Sequence, residues 1–167
     1  MTRAKFSRFL AITALTSTVL VGGAQSATAA DLHLRLRPGL ACPGFGLQVD
    51  AVGGNQQVKE FLDANGNTVR TITTGTGTAV TLTNVKTKEA LQFSSNGATT
   101  ETVVNPDGTQ TVTSTGHLIL ILFPTDVPAG PTTTLIVGRV VYTVDSRGVF
   151  RLQSISGQTT DLCALLG

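Results

Sequence analysis

Side chains that carry chemistry are scarce in this chain. Only two histidines occur, His33 and His117, and only two cysteines, Cys42 and Cys163. There is no CxxC pair and no cluster that would activate a thiolate, so the cysteines read as structural rather than redox-active or metal-binding. No Gly-x-Ser-x-Gly elbow is present, and the chain carries no hydrolase signature in sequence. The stretch Asp63-Ala64-Asn65-Gly66-Asn67 has the composition of a calcium loop but not its spacing. Its glycine stands fourth rather than sixth and no distal glutamate follows, so it reads as an Asn-Gly hairpin turn. No metal or cofactor is implied anywhere. A fixed repeat is lacking as well. Thr-x-Thr pairs recur at irregular intervals, which threonine's preference for the solvent face of strands explains better than an ice-binding solenoid.

Charge is also thin. The chain has 12 Lys+Arg and 10 Asp+Glu, a net charge of +2, but three of the cations, Arg3, Lys5 and Arg8, stand at the extreme N-terminus. They precede a short uncharged apolar stretch, Phe9–Val21, and then Ala27-Thr28-Ala29, with small residues at both positions a signal peptidase reads. The apolar stretch is shorter than the roughly 20 residues of a spanning helix. Residues 1–30 are therefore expected to be a signal peptide for the general export route, cleaved after Ala29 or Ala30, and to leave no membrane span. Residues 31–167 are expected to form one domain. Without the leader, nine cations face ten acids and the net charge becomes −1. Such a balance gives no electrostatic footprint for nucleic acid. In an exported chain Cys42 and Cys163 pair by default, tying the two ends of the domain together.

Helical periodicity is almost absent. Short segments alternate with period two and are separated by turn residues, as at Leu32–Arg37, Phe45–Ala51 and Ala79–Asn84. Turn cues stand at Gly53-Gly54, Asn65-Gly66, Asn96-Gly97, Pro106-Asp107-Gly108 and Asp145–Gly148. The pattern predicts an all-β domain, an antiparallel meander of about ten strands closing into an up-and-down barrel, with a two-sheet sandwich as the alternative. Gly157 is expected to end the last strand, before a short terminal helix capped by Thr159 or Thr160.

Within this pattern His117–Phe123 and Thr134–Val144 stand out, being apolar on both alternating faces. They predict a central hairpin whose second face must be covered by something. On its second strand Leu135, Val137, Arg139, Val141 and Thr143 share a side, so Arg139 must snorkel, pair with an acid such as Asp126, or reach into a cavity. The connection Phe123–Pro131 holds three prolines and reads as a stiff covering loop. Arg139, His117 and Asp126 are accordingly the candidate ligand-binding residues, and no residue is assigned a catalytic role.

Four stretches carry a resemblance: Asn105–Thr111 (NPDGTQT), Leu120–Pro131 (LILFPTDVPAGP), Val137–Asp145 (VGRVVYTVD) and Thr160–Leu166 (TDLCALL). From about Cys42 onward the chain resembles a group of secreted actinobacterial proteins of unassigned function. The resemblance implies export, one all-β domain and a terminal cysteine, and transfers no activity or ligand. The expectation is an exported, non-enzymatic β domain that binds a small apolar ligand or a partner at the cell envelope, with a homodimer as another way to cover the apolar face. The alternatives are a secreted enzyme with a pocket near His117, Asp126 and Arg139, and a structural extracellular protein.

Overall fold

The computed structural model describes residues 25–28, 31–94 and 97–167. The basic opening, the apolar stretch and the cleavage site of the expected leader lie outside the described residues. Eleven strands and one short helix are described: β1 Gln25–Thr28, β2 Leu32–Leu36, β3 Leu47–Val52, β4 Asn55–Leu62, β5 Thr68–Thr76, β6 Ala79–Asn84, β7 Ala90–Phe93, β8 Thr99–Val104, β9 Gln110–Leu122, β10 Thr132–Val144, β11 Phe150–Asp161 and α1 Leu162–Leu166. They form two antiparallel sheets, one of four strands in the order β2-β3-β6-β7 and one of seven in the order β1-β4-β5-β8-β9-β10-β11.

The expected barrel is not closed. Its premise was that every short connection joins neighbours in one sheet. Six of the connections do so, from β2/β3 to β10/β11, but β3 and β4, β5 and β6, and β7 and β8 belong to different sheets. The two-sheet arrangement is therefore the correct reading.

The four-stranded sheet shows why it packs on one side only. Leu34, Leu36, Leu47, Val49, Ala51, Val80, Leu82, Leu91 and Phe93 occupy one face, while His33, Arg35, Gln48, Asp50 and Thr81 alternate onto the other. The apolar face meets Ile119, Ile121 and Leu135 of β9 and β10 and Phe123 just beyond β9, together with Leu162 and Leu166 of α1, in the larger core. The opposite face of the same β9–β10 ribbon holds a second core of Leu120, Leu122, Ile136 and Val140, covered by Leu118, Tyr142, Phe150 and Leu152. Both faces of the apolar hairpin are thus covered from within the chain.

That second core exists because the ribbon folds back on itself. β9 and β10 are 13 residues each, which would span about 40 Å if straight. Yet the connection at one end reaches the start of β11 at the other, where the Val127 amide donates to the Phe150 carbonyl at 3.0 Å and the Leu152 amide donates to that of Val127 at 2.7 Å. The fold line is a row of glycines. Gly116 pairs with Gly138, and Gly138 with Gly157. Their φ angles are 126°, 157° and 111°. A Cβ on Gly138 would lie 2.0 Å from the Ser156 carbonyl oxygen, and one on Gly157 would lie 2.3 Å from that of Val137. Gly97 and Gly75 extend the row, each packed on the backbone of its neighbour. Apart from Gly97, which precedes β8, these residues stand inside strands: β11 runs through Gly157 to Asp161 rather than ending there.

The expected disulfide is present. Cys42 and Cys163 are joined with their Cα atoms 5.5 Å apart, across a sequence separation of 121. The helix beside it starts one or two residues later than anticipated, because Asp161, not Thr159 or Thr160, is the cap and accepts from the Cys163 and Ala164 amides. A five-residue helix has almost no stability of its own. It is held by burial of Leu162 and Leu166 and by Asn84, whose Nδ2 donates to the Leu166 carbonyl at 2.8 Å while its Oδ1 accepts from the Lys86 amide at 2.9 Å. Asn84 is 2 % exposed, so replacing it with alanine leaves buried polar groups unmatched. The expected cost is about 2–3 kcal/mol, read by urea unfolding, and a cost below about 0.5 kcal/mol would show that the helix docks without it.

Candidate functional site: a basic groove at the disulfide end

Of the three residues expected to bind a ligand, two are diagonal neighbours across β9 and β10 and the third lies in the loop beyond β9. His117 and Arg139 lie on neighbouring strands, opposite Val137 and Thr115 respectively, and both are exposed. Of the three outcomes open to Arg139, exposure is the one realised. Beyond Gly138 its face is no longer covered by the four-stranded sheet, so the charge has a direct path to water. Asp126 sits in the connection past Leu122, where its carboxylate accepts from the Phe123 amide at 2.6 Å and shapes the turn. The polar side chains of the hairpin therefore serve its surface and its loop.

A different set of charges converges near the disulfide. β2 presents Arg35 on its polar face and ends at Arg37-Pro38, where a turn closed by Leu40 and Gly39 amides brings the chain to Cys42. After the bridge, Gly44-Phe45-Gly46 crosses beneath the β6–β7 turn, and the Val85 amide donates to the Gly46 carbonyl at 2.9 Å. Gly46 has no room for a side chain, since a Cβ there would lie 2.9 Å from the Leu36 carbonyl oxygen. Asn84 fixes the same turn, accepting from the Lys86 and Thr87 amides. The outcome is a shallow groove of about 380 Å³ in which Arg35, Arg37 and Lys86 surround Phe45. A second depression of about 460 Å³, reaching to Asp161 and the helix, shares Gly44, Phe45 and Lys86 with it.

The electrostatics of the groove follow from where the acids went. Asp63, Asp107 and Asp145 all sit in hairpin turns. Their carboxyls are held below the ordinary range chiefly by the Asn67 amide, the Thr109 hydroxyl and the Val149 amide, respectively. Asp50 is lowered in the same direction, first by its hydrogen bond with His33 and then by Gln48. Asp161, which lines the adjoining depression, is engaged as the helix cap. Among the described residues the ion pairs are His33–Asp50, Arg70–Glu101 and Arg147–Asp145, and none of them involves Arg35, Arg37 or Lys86. Three exposed cations are thereby left facing a common cleft with an aromatic floor. Such a site can take an anionic group through charge-assisted hydrogen bonds.

Among the described residues no group of three or more His, Cys, Asp or Glu is placed to hold a metal ion, and no helix is long and apolar enough to cross a membrane. The groove was missed in sequence because Arg35-x-Arg37 and Lys86 are far apart in the chain. Only the strand order β2-β3-β6 makes them neighbours. No family model, curated protein or solved structure matches this chain.

Proposed function

We propose that the protein is an exported, non-catalytic binding domain that attaches through the Arg35–Arg37–Lys86 groove to an anionic component of the cell envelope. The observation that carries this reading is the convergence of three unpaired cations, from two distant segments, around the buried ring of Phe45. Export is supported by the pattern of the first thirty residues and by the Cys42–Cys163 bridge, which suits an oxidising compartment. An apolar small molecule is the weaker ligand, because the two faces of the β9–β10 ribbon are already occupied by the chain's own side chains. Charge on the groove, and not cavity volume, is then the basis of recognition.

The test uses inorganic polyphosphate as a soluble probe, titrated calorimetrically, and sedimentation with phosphate-bearing wall fragments. Binding is expected to weaken as salt rises, and to weaken about tenfold for each cation replaced by glutamine at Arg35, Arg37 and Lys86. All three positions are exposed, so the variants should keep their thermal midpoints. Equal binding by the triple variant and the parent would discard the groove as the site.

A further inference from the structure

β11 is one outer edge of the seven-stranded sheet. Its free side is covered only at the start, where Val127 bonds to Phe150 and Leu152. From Gln153 to Asp161 every residue is exposed. Open edges are ordinarily defended by charge, by proline, by shortness or by a covering segment. The other edges of this fold have such defences. β7 is four residues long, β2 carries His33 and Arg35, and β4, whose neighbour β1 falls within the expected leader, carries Lys59 and Glu60. Gln153–Thr160 has none, being uncharged, free of proline and rich in serine, threonine and glutamine.

The shape of this edge selects its occupant. Gly157 lies on the fold line with a φ of 111°, so the edge is bent part-way along. A straight strand from an unrelated partner could follow only one arm of it. A second β11 carries the same bend at the same residue. Antiparallel pairing about a two-fold axis through Gly157, normal to the sheet, sets Gly157 against Gly157, Ser156 against Gln158, Ile155 against Thr159 and Ser154 against Thr160. No like charges meet in that register. The axis keeps the same face of both sheets inward, so the glycine row continues across the junction and the two folded sheets join without a step. Backbone hydrogen bonds then satisfy groups that are otherwise left to water.

We propose that two copies of this chain associate edge to edge through β11, forming a continuous folded sheet of twelve strands, six from each copy once β1 leaves with the leader. One paired edge is a small contact, so the dimer is concentration-dependent. The proposal is independent of the basic groove, which lies on other segments. Sedimentation velocity of the purified protein over a wide concentration range reads it directly. A reversible monomer–dimer equilibrium is expected, shifted to monomer by Ser154→Lys with Gln158→Lys and unaffected by Ser146→Lys in the exposed turn before β11. Hydrogen exchange on the unaltered protein is the second measurement, with amide protection along Ser154–Thr160 rising with concentration. A protein that stays monomeric at millimolar concentration overturns the proposal. So does a dimer that survives both lysines, or one that forms with no added protection along β11.

Discussion

Replacing Cys42 and Cys163 with serine, or reducing the bridge, is expected to destabilise the domain by about 4–5 kcal/mol and to lower its thermal midpoint on the order of 15 °C. The magnitude follows from the loop. The two cysteines stand 121 residues apart, so the bond restrains nearly the whole chain between its ends in the unfolded state. In the chain-entropy account the effect grows with the logarithm of that length. The folded side adds to it. Cys42 is fully buried, and Thr133, itself fully buried, donates to the Ala41 carbonyl at 3.0 Å beside it. The serine hydroxyls would stand in an apolar core assembled for sulfur. The measurement is urea unfolding with and without reductant, alongside the double serine variant. Loss of less than about 1 kcal/mol would mean that packing of Leu162 and Leu166 alone closes the domain. Local consequences should precede global ones, since α1 follows the bridge directly and is too short to persist undocked.

Gly157→Ala is expected to cost more than about 4 kcal/mol, although the residue is exposed and the change adds a single methyl group. An alanine at a surface position ordinarily has little effect. Here the Cβ would fall 2.3 Å from the Val137 carbonyl oxygen, a backbone atom with no freedom to swing away. The positive φ adds strain that only glycine avoids. Gly108→Ala is the matched control. Its φ is 78°, but nothing lies within 4 Å of the added Cβ, so only the conformational strain of about 1–2 kcal/mol applies. The difference between the two variants isolates the close approach of β10 and β11. Equal costs in chemical denaturation would show that the strands separate enough to admit the methyl group, and the fold line would lose its structural basis.

The outcome of these positions was only partly legible in the chain itself. Period-two alternation located the strands, and the apolar pair His117–Phe123 and Thr134–Val144 marked the one ribbon that is buried on both sides. Cysteine count and position were enough to pair Cys42 with Cys163. What escaped was the difference between a turn that makes a hairpin and a turn that changes sheets. Gly53-Gly54 after β3 and Asn65-Gly66 after β4 carry the same kind of local chemistry, because both need positive φ; the choice of sheet is made by what each strand's apolar face can cover. The glycine row escaped for a related reason. Gly157 looked like a strand end, since glycine weakens a strand considered alone. The alignment of Gly116, Gly138 and Gly157 depends on turn lengths summed along the chain and has no constant period. The basic groove depended on the same missing strand order.

The row of glycines also sets which parts of this protein can change length. A residue inserted in a hairpin tip, such as Asp107-Gly108 or Ser146-Arg147, leaves every pairing in place. A residue inserted between Gly138 and the β10–β11 turn moves Gly138 out of register with Gly157 and puts a side chain where backbones touch. Five segments are thereby coupled through their residue counts rather than through side-chain contacts. Sequence drift in this fold is free at the tips and gated at the crease, so a compensating insertion in one strand must be matched in the next.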